Sequence, residues 1–453
     1  MKVQPRSNIA SSDSRRRSRA VAFFGHFGLG NLGNESTLQA VLYHLRSRLP
    51  DAEFTCICTD PEATKATHNL AAVPVNPVLV RSWRPRNRML RLLRSFFVGV
   101  PNELYRWLAA FARLRNTDVL IVPGTGVLTD AFGIGNWGPY GLFRWCVTAK
   151  LCGCRLLFIS VGAGPIYTRA GRFFARTALR LADFRSWRDE SSMQYLKGMG
   201  FPADRDPVYP DLAFSLSSAQ MPLDSTGKRR RPVVGIGLME YAGRYSVENP
   251  RASTYSAYMQ ALLKFAKWLL ARGYDIRLLI GDLTDRKVTE EFRGLLRDEA
   301  GVPDDDRVID EPIETVEDLL AQLAATDLVV ATRFHNVLLS LLLSKPVIAI
   351  LFHHKCASLM NQIGMADYCQ DINTLNAEKL IEQFRQLRKH ASEIKHTVDQ
   401  NVEASRGALD EQYELILSHI CPGRQLTRPE MIRIRDAAAG SGELRKIGHG
   451  ASN

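Results

Sequence analysis

Short apolar runs alternate with longer amphipathic segments along most of the chain. In the first half, runs rich in β-branched and aromatic residues lie at 20–25, 53–59, 117–122, 155–161 and 184–187. Segments of helical periodicity lie between them, for example at 35–49, 137–151 and 168–182. Because strands that are separated by helices form βαβ units, the pattern predicts a parallel sheet flanked by helices.

The alternation is interrupted once and then resumes. Residues 216–232 are polar and contain proline, glycine and a basic cluster, which is typical of a linker. Beyond them, strands are predicted at Val233 to Leu238, Ile276 to Ile280, Leu328 to Ala331 and Pro346 to Leu351, and helices at 252–272, 286–299, 314–325, 335–344 and 376–397. We therefore expect an α/β fold with two Rossmann-like doubly wound domains that face a cleft.

These boundaries divide the chain into six parts. The predicted division is a disordered basic tail at 1–19, an N-terminal domain at 20–215, the linker at 216–232, a C-terminal domain at 233–375, C-terminal helices at 376–420 and a flexible tail at 421–453. A chain of 453 residues, 45% of them hydrophobic, is long enough for each domain to bury a core of its own.

Charge and cysteine usage narrow the classes of partner and compartment. The net charge of +12 favours anionic partners such as phosphorylated metabolites or lipid headgroups. No aromatic-basic RNA-binding motif is present, so we expect no nucleic acid as partner. The eight scattered cysteines are typical of buried thiols in a reducing compartment. With neither a signal peptide nor an apolar run of about 18 residues, the protein is expected to be cytoplasmic.

An arginine-rich segment precedes the third strand of the first half. Residues 81–94, RSWRPRNRMLRLLR, contain six arginines and continue into a run with several aromatic residues. One interpretation is a basic amphipathic surface, Arg81 to Arg94, that docks on an anionic bilayer. The other is a solvated helix face that packs on its own domain. The sequence leaves both open.

A glycine-rich loop, GHFGLGNLGNES, joins the first predicted strand to the first helix. Gly28, Gly30 and Gly33 form a GxGxxG pattern. A dinucleotide site would require an acidic residue about twenty positions later, but Asp60 comes roughly five residues too late. An anion site at the helix N-terminus, or a tight turn, is therefore the better interpretation. Gly124, in VPGTGVLTD, lies in a second glycine-rich loop at the same sheet edge.

Charged and titratable residues follow several strands. Arg333 and His335, in ATRFHN, lie at the start of an apolar helix that follows a strand. The planar guanidinium of arginine can bind carboxylate or phosphate through two hydrogen bonds, and histidine exchanges a proton near neutral pH. Arg188, in WRDESS, comes at the end of another strand. Asp211, in YPDLAF, ends the first domain. Lys355, in HHKCASLM, is a further anion contact or a surface lysine.

Together these segments resemble the polysaccharide pyruvyl transferase family. The matching pieces are GHFGLGNLGNES, IVPGTGVLTD, SVGAGPI, WRDESS, YPDLAFSL, ATRFHNVLLSLLLSKPVIAI and HKCASLMNQIG, in order over about residues 20–370. The family opening is closer to G-x-x-N-x-G-D-E, and Asn34 takes the place of its aspartate. The family R-[LM]-H motif is Arg333-Phe334-His335 in this chain.

The resemblance implies a GT-B-like fold and the transfer of a pyruvyl group from phosphoenolpyruvate to a sugar as a cyclic ketal, with release of phosphate. The acceptor would be a cell-surface polysaccharide, an exopolysaccharide or a lipid-linked precursor. The C-terminal domain would form the donor side, with Arg333 and Lys355 as donor contacts and His335 as the general acid. Arg188, which reaches the cleft from the N-terminal domain, would join Arg333 in holding phosphate and carboxylate.

The N-terminal domain would then form the acceptor side of the cleft. Its expected residues are Gly28, Asn31, Gly33, Asn34, Glu35, Gly124 and Asp211. Phosphoenolpyruvate serves as co-substrate, and no cofactor or metal is expected.

Two other functions fit the same pattern. The first is a GT-B glycosyltransferase that uses a nucleotide sugar, for which Asp282 and Asp285 in IGDLTD would be the comparable acidic feature. The second is a non-catalytic binding protein of an envelope pathway. This binding protein would dock through the arginine-rich segment. If that segment binds an anionic bilayer, the protein would lie peripherally at the inner face of the plasma membrane, whichever of the three functions it has.

Overall fold

The computed structural model describes residues 18–80, 87–130, 138–217, 221–222, 231–241, 251–298 and 307–421. The expected tails at 1–19 and 421–453, apart from residues 18, 19 and 421, lie outside the described residues. So do most of the linker at 216–232 and Arg81, Arg84 and Arg86. Within the described ranges, no helix is long and apolar enough to cross a membrane.

The first domain is built on a six-stranded parallel sheet with the order β3-β2-β1-β4-β5-β6. Its strands are β1 (Ala20–Phe24), β2 (Glu53–Cys58), β3 (Ala71–Pro74), β4 (Val119–Pro123), β5 (Arg155–Val161) and β6 (Phe184–Trp187). Its helices are α1 (Leu32–Arg48), α2 (Pro61–His68), α3 (Arg88–Arg94), α4 (Val100–Leu114), α5 (Pro139–Leu151), α6 (Arg169–Arg180) and α7 (Glu190–Gly198), with a π-helical turn, Ser95–Gly99, between α3 and α4.

The second domain repeats this topology, with the order β12-β11-β10-β7-β8-β9. Its strands are β7 (Val233–Gly237), β8 (Asp275–Leu279), β9 (Val308–Ile309), β10 (Leu328–Ala331), β11 (Val347–Leu351) and β12 (Cys369–Asp371). Its helices are α8 (Arg251–Ala271), α9 (Arg286–Asp298), α10 (Val316–Ala324), α11 (Phe334–Leu342), α12 (His354–Gln362), α13 (Ala377–Lys389) and α14 (Ala391–Ile420). The predicted α/β fold with two doubly wound domains is confirmed.

Alternation along the strands divides the first domain into two packed layers. On β1, Ala22 and Phe24 point into a cluster that also contains residues of α4, α5 and α6. Val21 and Phe23 point the other way, into a cluster that holds α1 and is continuous with the core of the second domain. The first domain therefore meets the second domain through its α1 layer, while the α4–α6 layer faces away.

The last helix, α14, contacts both domains. In its first half, Asn401 Nδ2 donates to the Ile363 carbonyl of the second domain at 3.2 Å. In its second half, Gln412 lies in the first domain, where its amide donates to Ser186 Oγ at 2.6 Å and accepts from Ser160 Oγ at 3.0 Å. The single helix expected at 376–397 is thus two helices with a break at His390, and the second one crosses from one domain to the other.

Candidate active site

The cleft is lined by the loops that follow the carboxyl ends of strands in both sheets. At one point the two sets of loops hydrogen-bond directly: the Leu32 amide donates to the Gly281 carbonyl at 3.1 Å, and the Leu283 amide donates to the Gly30 carbonyl at 2.9 Å. Asn31 Nδ2 also donates to Asp282 at 3.0 Å. The glycine-rich loop after β1 therefore forms part of the domain interface at the site.

The polar side chains of this loop stabilise its own conformation. The two carboxylate oxygens of Glu35 accept from the Gly28 amide at 2.8 Å and contact His68 Nε2 at 2.7 Å. Asn34 Nδ2 donates to the His26 carbonyl at 3.0 Å. An ionised aspartate in place of Asn34 could not donate this bond. Gly28 has a φ of +81°, and a Cβ there would lie 2.3 Å from the Asp60 carbonyl oxygen, so the turn requires glycine.

Gly33 brings the two domains into contact at His335. A Cβ on Gly33 would lie 1.8 Å from Nδ1 of His335, so the imidazole occupies the space that any side chain would need. Gly33 is in the first turn of α1, and His335 is in the first turn of α11. The N-termini of two helices, one from each domain, therefore meet at this histidine.

His335 is enclosed, with 16% of its side chain exposed. Its Nε2 atom has no hydrogen-bond partner, and Asp211 Oδ2 lies 3.9 Å away. Burial lowers the pKa of His335 to about 4; Asp211 opposes this shift, and Arg188, Lys355 and Arg333 add to it. Contrary to what the sequence suggests, the pKa of His335 is not near neutral, because the ring is buried and three positive side chains lie around it.

Arg188 and Asp211 form a charged group on the first-domain side of His335. Arg188 Nη1 donates to Asp211 Oδ2 at 3.1 Å, and the Arg188 guanidinium lies 4.8 Å from the centre of the Phe334 ring. Phe334, the residue that differs from the family R-[LM]-H motif, therefore supplies a cation–π partner for Arg188. Gly162 makes room for this arrangement, since a Cβ there would lie 2.7 Å from Arg188 Nη2.

Asp189 follows Arg188 and caps α7 through the Ser192 amide at 2.7 Å. Its burial would raise its pKa, but the charge of Arg188 and the hydrogen bonds from Ser191 and Ser192 lower the pKa of Asp189 to about 2. It is therefore ionised at neutral pH and balances part of the positive charge.

Arg333 is held by a buried carboxylate. Its Nε and Nη2 atoms donate to the two oxygens of Asp285 at 2.8 and 2.6 Å, a bidentate pair. Asp285 is fully buried and also accepts from the Glu240 amide at 2.9 Å. Burial raises the pKa of Asp285, although the bonds from Arg333 and Glu240 act in the other direction. Arg333 is thus positioned by the IGDLTD segment.

Lys355 lies at the start of α12, between the positive and negative groups of the other domain. Burial and the charge of Arg188 lower the pKa of Lys355 to about 7, and Asp189 and Asp211 oppose that shift. A lysine in this environment changes charge near neutral pH, and a negative charge bound nearby would favour its protonated form. Arg188, Lys355 and His335 are therefore brought together as the sequence predicted.

The N-terminus of α11 adds a feature that the sequence analysis missed. Arg333 occupies the cap position but makes no capping hydrogen bond through its side chain. Asn336, in the first turn, is fully buried, and both polar atoms of its amide lack a partner in the structure as described. Helix N-termini with free amides attract anions. The signal that could have been used is the polar Asn336 within a mostly apolar helix.

Two further residues that the sequence singles out, Gly124 and Asp211, stabilise the conformation of their own loops. A Cβ on Gly124 would lie 2.4 Å from the Ser160 carbonyl oxygen, so Gly124 allows the loop after β4 to pass close to β5. Asp211 Oδ1 accepts from the Ala213 amide at 3.0 Å and caps a short helical turn. In the described part of the chain, no three His, Cys, Asp or Glu residues are grouped as metal ligands.

Solved structures define the class of fold. A glycosyltransferase from Rickettsia africae has a TM-score of 0.53 at 11% identity, with 90% of this chain and 100% of that chain covered. A UDP-GlcNAc 2-epimerase from Neisseria meningitidis has a TM-score of 0.55 at 14% identity, with 88% and 100% covered. At these identities the likeness concerns the fold alone: the protein has the GT-B-like architecture of two Rossmann-like domains around a cleft.

The family follows from a more specific match. The model of the family "Polysaccharide pyruvyl transferase" matches residues 31–354, which include the α1 N-terminus, Arg188, Asp211 and the Arg333-Phe334-His335 motif. The chain belongs to the polysaccharide pyruvyl transferase family. It is also 21% identical to the amylovoran biosynthesis protein AmsJ of Erwinia amylovora over 418 residues, 85% of this chain and 96% of that protein.

Proposed function

We propose that the protein transfers a pyruvyl group from phosphoenolpyruvate to two hydroxyls of a sugar, forming a cyclic ketal and releasing phosphate. The observation that carries the proposal is the convergence of Arg188, Lys355 and the uncapped N-terminus of α11 around a buried histidine whose Nε2 atom has no hydrogen-bond partner. Such a site suits a small, strongly anionic donor with carboxylate and phosphate groups.

The proposed reaction begins with protonation of the donor's methylene carbon by His335. The adjacent C2 becomes electrophilic, a sugar hydroxyl adds to it, the C–O bond to phosphate breaks, and a second hydroxyl closes the ring. The two hydroxyls release two protons; one replaces the proton given by His335, and the other leaves with phosphate. Arg188 and Arg333 offset the charge that builds up on the departing phosphate.

The low pKa of His335 in the free protein bears on this assignment. The ring is neutral at pH 7 because burial and three cations disfavour its charged form. A bound donor brings several negative charges to those same cations, which raises the pKa of a nearby histidine. In the proposal, donor binding therefore charges the acid, so that an imidazolium forms only when there is a substrate to protonate.

His335→Ala and His335→Gln variants test the general acid. Phosphate release from phosphoenolpyruvate is measured with a panel of glycans, and far-ultraviolet circular dichroism checks the fold. General acid catalysis contributes about 10²–10⁴-fold, so a loss of that size is expected in both variants. Turnover equal to the parent protein would overturn the role of His335.

The second candidate function is a glycosyltransferase, which the fold of the Rickettsia africae protein favours. The acidic residues it would use for a nucleotide sugar are engaged: Asp285 holds Arg333, and Asp282 accepts from Asn31 and from the Thr284 amide. A glycosyltransferase would consume a nucleotide sugar and release no phosphate from phosphoenolpyruvate. A non-catalytic binding protein would do neither with any acceptor.

The acceptor that we propose is a sugar of an exopolysaccharide or of its lipid-linked precursor. The family name and the amylovoran biosynthesis protein both support a polysaccharide. We also propose a cytoplasmic location at the inner face of the plasma membrane, which suits a lipid-linked acceptor.

A further inference from the structure

The outer face of helix α4 is apolar. Val100, Leu104, Leu108 and Phe111 lie at spacings of four, four and three residues, which places them on one side of the helix. Their exposed fractions are 49%, 61%, 68% and 49%. A helix on the surface of a globular domain normally presents polar residues to solvent, so a continuous apolar face of this kind marks an interaction surface.

The inner face of α4 is apolar as well. Ala110 and Leu114 are fully buried in the cluster under the first sheet, together with Leu120 and Leu142. The packing of the helix on its own domain is therefore complete, and the outward leucines play no part in it. Turning α4 about its own axis would therefore bury the outward leucines only by exposing Ala110 and Leu114.

The apolar face continues onto the neighbouring elements. Phe96 and Phe97, in the turn before α4, are each 67% exposed, and Phe173 of α6 is 60% exposed. A row of aromatic rings joins α4 to α6: the Trp107 and Phe143 centroids are 6.4 Å apart, and those of Phe143 and Phe174 are 5.1 Å apart. We name the exposed side chains of 96–111 together with Phe173 the apolar ridge.

Exposed basic residues lie on α6, the helix that carries Phe173 of the apolar ridge. The sequences of α3, RMLRLLR, and α6, RAGRFFARTALR, contain arginine as their sole charged residue type. Arg169 and Arg180 of α6 are exposed. Exposed leucine and phenylalanine beside arginine is the composition that binds the interface of an anionic membrane.

We propose that the apolar ridge inserts into the headgroup region of an anionic bilayer and that the exposed arginines of α6, Arg169 and Arg180, contact the lipid phosphates. A second copy of the chain fits less well, because a symmetric contact would bring arginines against arginines. The ridge belongs to the α4–α6 layer, on the sheet face opposite the layer that is continuous with the second domain. A docked protein would therefore keep its cleft accessible.

Vesicle co-sedimentation of the full chain tests the proposal. Phosphatidylcholine vesicles with and without phosphatidylglycerol are compared for the parent protein and a Leu104→Asn, Leu108→Asn variant, both changes being at exposed positions. Removing one buried leucine from a membrane interface costs about tenfold in partitioning. We expect the parent protein to prefer the anionic vesicles and the double variant to lose at least about tenfold of that binding.

Tyr43→Asn provides the matched control, because Tyr43 is 43% exposed on α1, in the other layer of the domain. Its vesicle binding should equal that of the parent protein. An Arg169→Gln, Arg180→Gln variant should lose the preference for anionic vesicles. Unchanged binding of the leucine variant would overturn the proposal. So would a lipid-independent dimer, detected by light scattering, that the leucine variant abolishes.

This inference does not depend on the donor chemistry, since the assay contains no substrate. Its connection to a lipid-linked acceptor does rest on the proposed function. If the protein binds vesicles but releases no phosphate from phosphoenolpyruvate, the docking surface is supported and the proposed reaction is overturned. If it releases phosphate but does not bind vesicles, the reaction is supported and the docking surface is overturned.

Discussion

Single residues in this site are constrained by how closely the two domains approach each other. Gly33 leaves the space that the His335 ring fills, and Gly162 leaves the space for Arg188. Neither glycine has the positive φ that would by itself demand glycine. Their small size matters because a side chain from the other domain, or from a neighbouring strand, occupies the missing volume.

Gly33→Ala should separate stability from activity. Alanine in place of glycine within a helix adds about 0.5–1 kcal/mol of helix propensity, but its Cβ would displace His335. Because a displacement of about 1 Å can cost 10²-fold in rate, we expect phosphate release to fall by about that factor. Steady-state kinetics and urea unfolding measure the two effects.

The control is Gly294→Ala in α9, where a Cβ meets no atom within 4 Å. It should gain stability and keep its activity. Parent-like turnover of Gly33→Ala would show that the position of His335 is unimportant.

The charge of Lys355 should govern donor binding near neutral pH. Its pKa of about 7 means that the free protein carries this charge below pH 7 and loses it as the pH rises above that value. The kcat/KM for phosphoenolpyruvate should therefore decline above about pH 7. Lys355→Arg keeps its charge throughout, so its decline should be absent or displaced to higher pH.

The phosphate group of the donor titrates in the same way whether the parent protein or the Lys355→Arg variant is assayed. Any difference between the two pH profiles of kcat/KM therefore reports the titration of Lys355. Identical profiles would remove Lys355 from the donor site.

At the scale of helices and strands, the buried residues at the centre of each sheet could be predicted well. The central strands are continuous apolar runs, since parallel strands are covered on both faces. The edge strands β3, β9 and β12 were missed because they have four, two and three residues and partly exposed patterns. The break between α13 and α14 was also missed, since neither proline nor glycine marks it.

At the cleft, the sequence indicated several of the residues that lie close together, but it did not indicate how they pair. Arg188, His335 and Lys355 could be singled out because each follows the carboxyl end of a strand. That Arg333 pairs with Asp285, or that Asn34 donates to the His26 carbonyl, depends on loop conformation. The pKa of His335 could not be predicted either, because its burial, which is the main cause of the shift, and the approach of Arg188 and Lys355 depend on the tertiary structure.

Helix α14 should depend on Gln412 for its attachment to the first domain. The Gln412 side chain is fully buried and satisfies both Ser160 and Ser186. Gln412→Leu keeps about the same volume, but it leaves the buried Ser160 hydroxyl without its acceptor and removes one of the two donors to Ser186 Oγ. We therefore expect a loss of about 1–3 kcal/mol in the free energy of unfolding. Urea denaturation measures it.

Gln400→Leu, at an exposed position of the same helix, should change the free energy of unfolding by less than about 0.5 kcal/mol. Equal effects of the two substitutions would show that the buried hydrogen bonds do not attach the helix.

For the molecule as a whole, the backbone bridge between the loop after β1 and the IGDLTD segment sets the distance between the domains. Gly30 has a φ of +77°, and a Cβ there would lie 2.8 Å from Leu283 Cγ. Gly30→Ala should therefore break the bridge. Hydrogen exchange at the Leu32 and Leu283 amides, which donate across the bridge, should become faster.

Gly153→Ala is the control, because Gly153 has a φ of +76° and a Cβ there meets no atom within 4 Å. It introduces the same backbone strain without touching the interface, so exchange at Leu32 and Leu283 should not change. Faster exchange in both variants would assign the effect to general loss of stability.

Helix α14 connects the two domains as a rigid element. A helix of 30 residues is about 45 Å long. It is bonded to the second domain near Asn401 and to the first near Gln412. Widening the cleft would have to bend this rod or detach one end. Opening the cleft would therefore strain α14 as well as the backbone bridge at Gly30 and Gly281, so the two domains are held together by two separate connections.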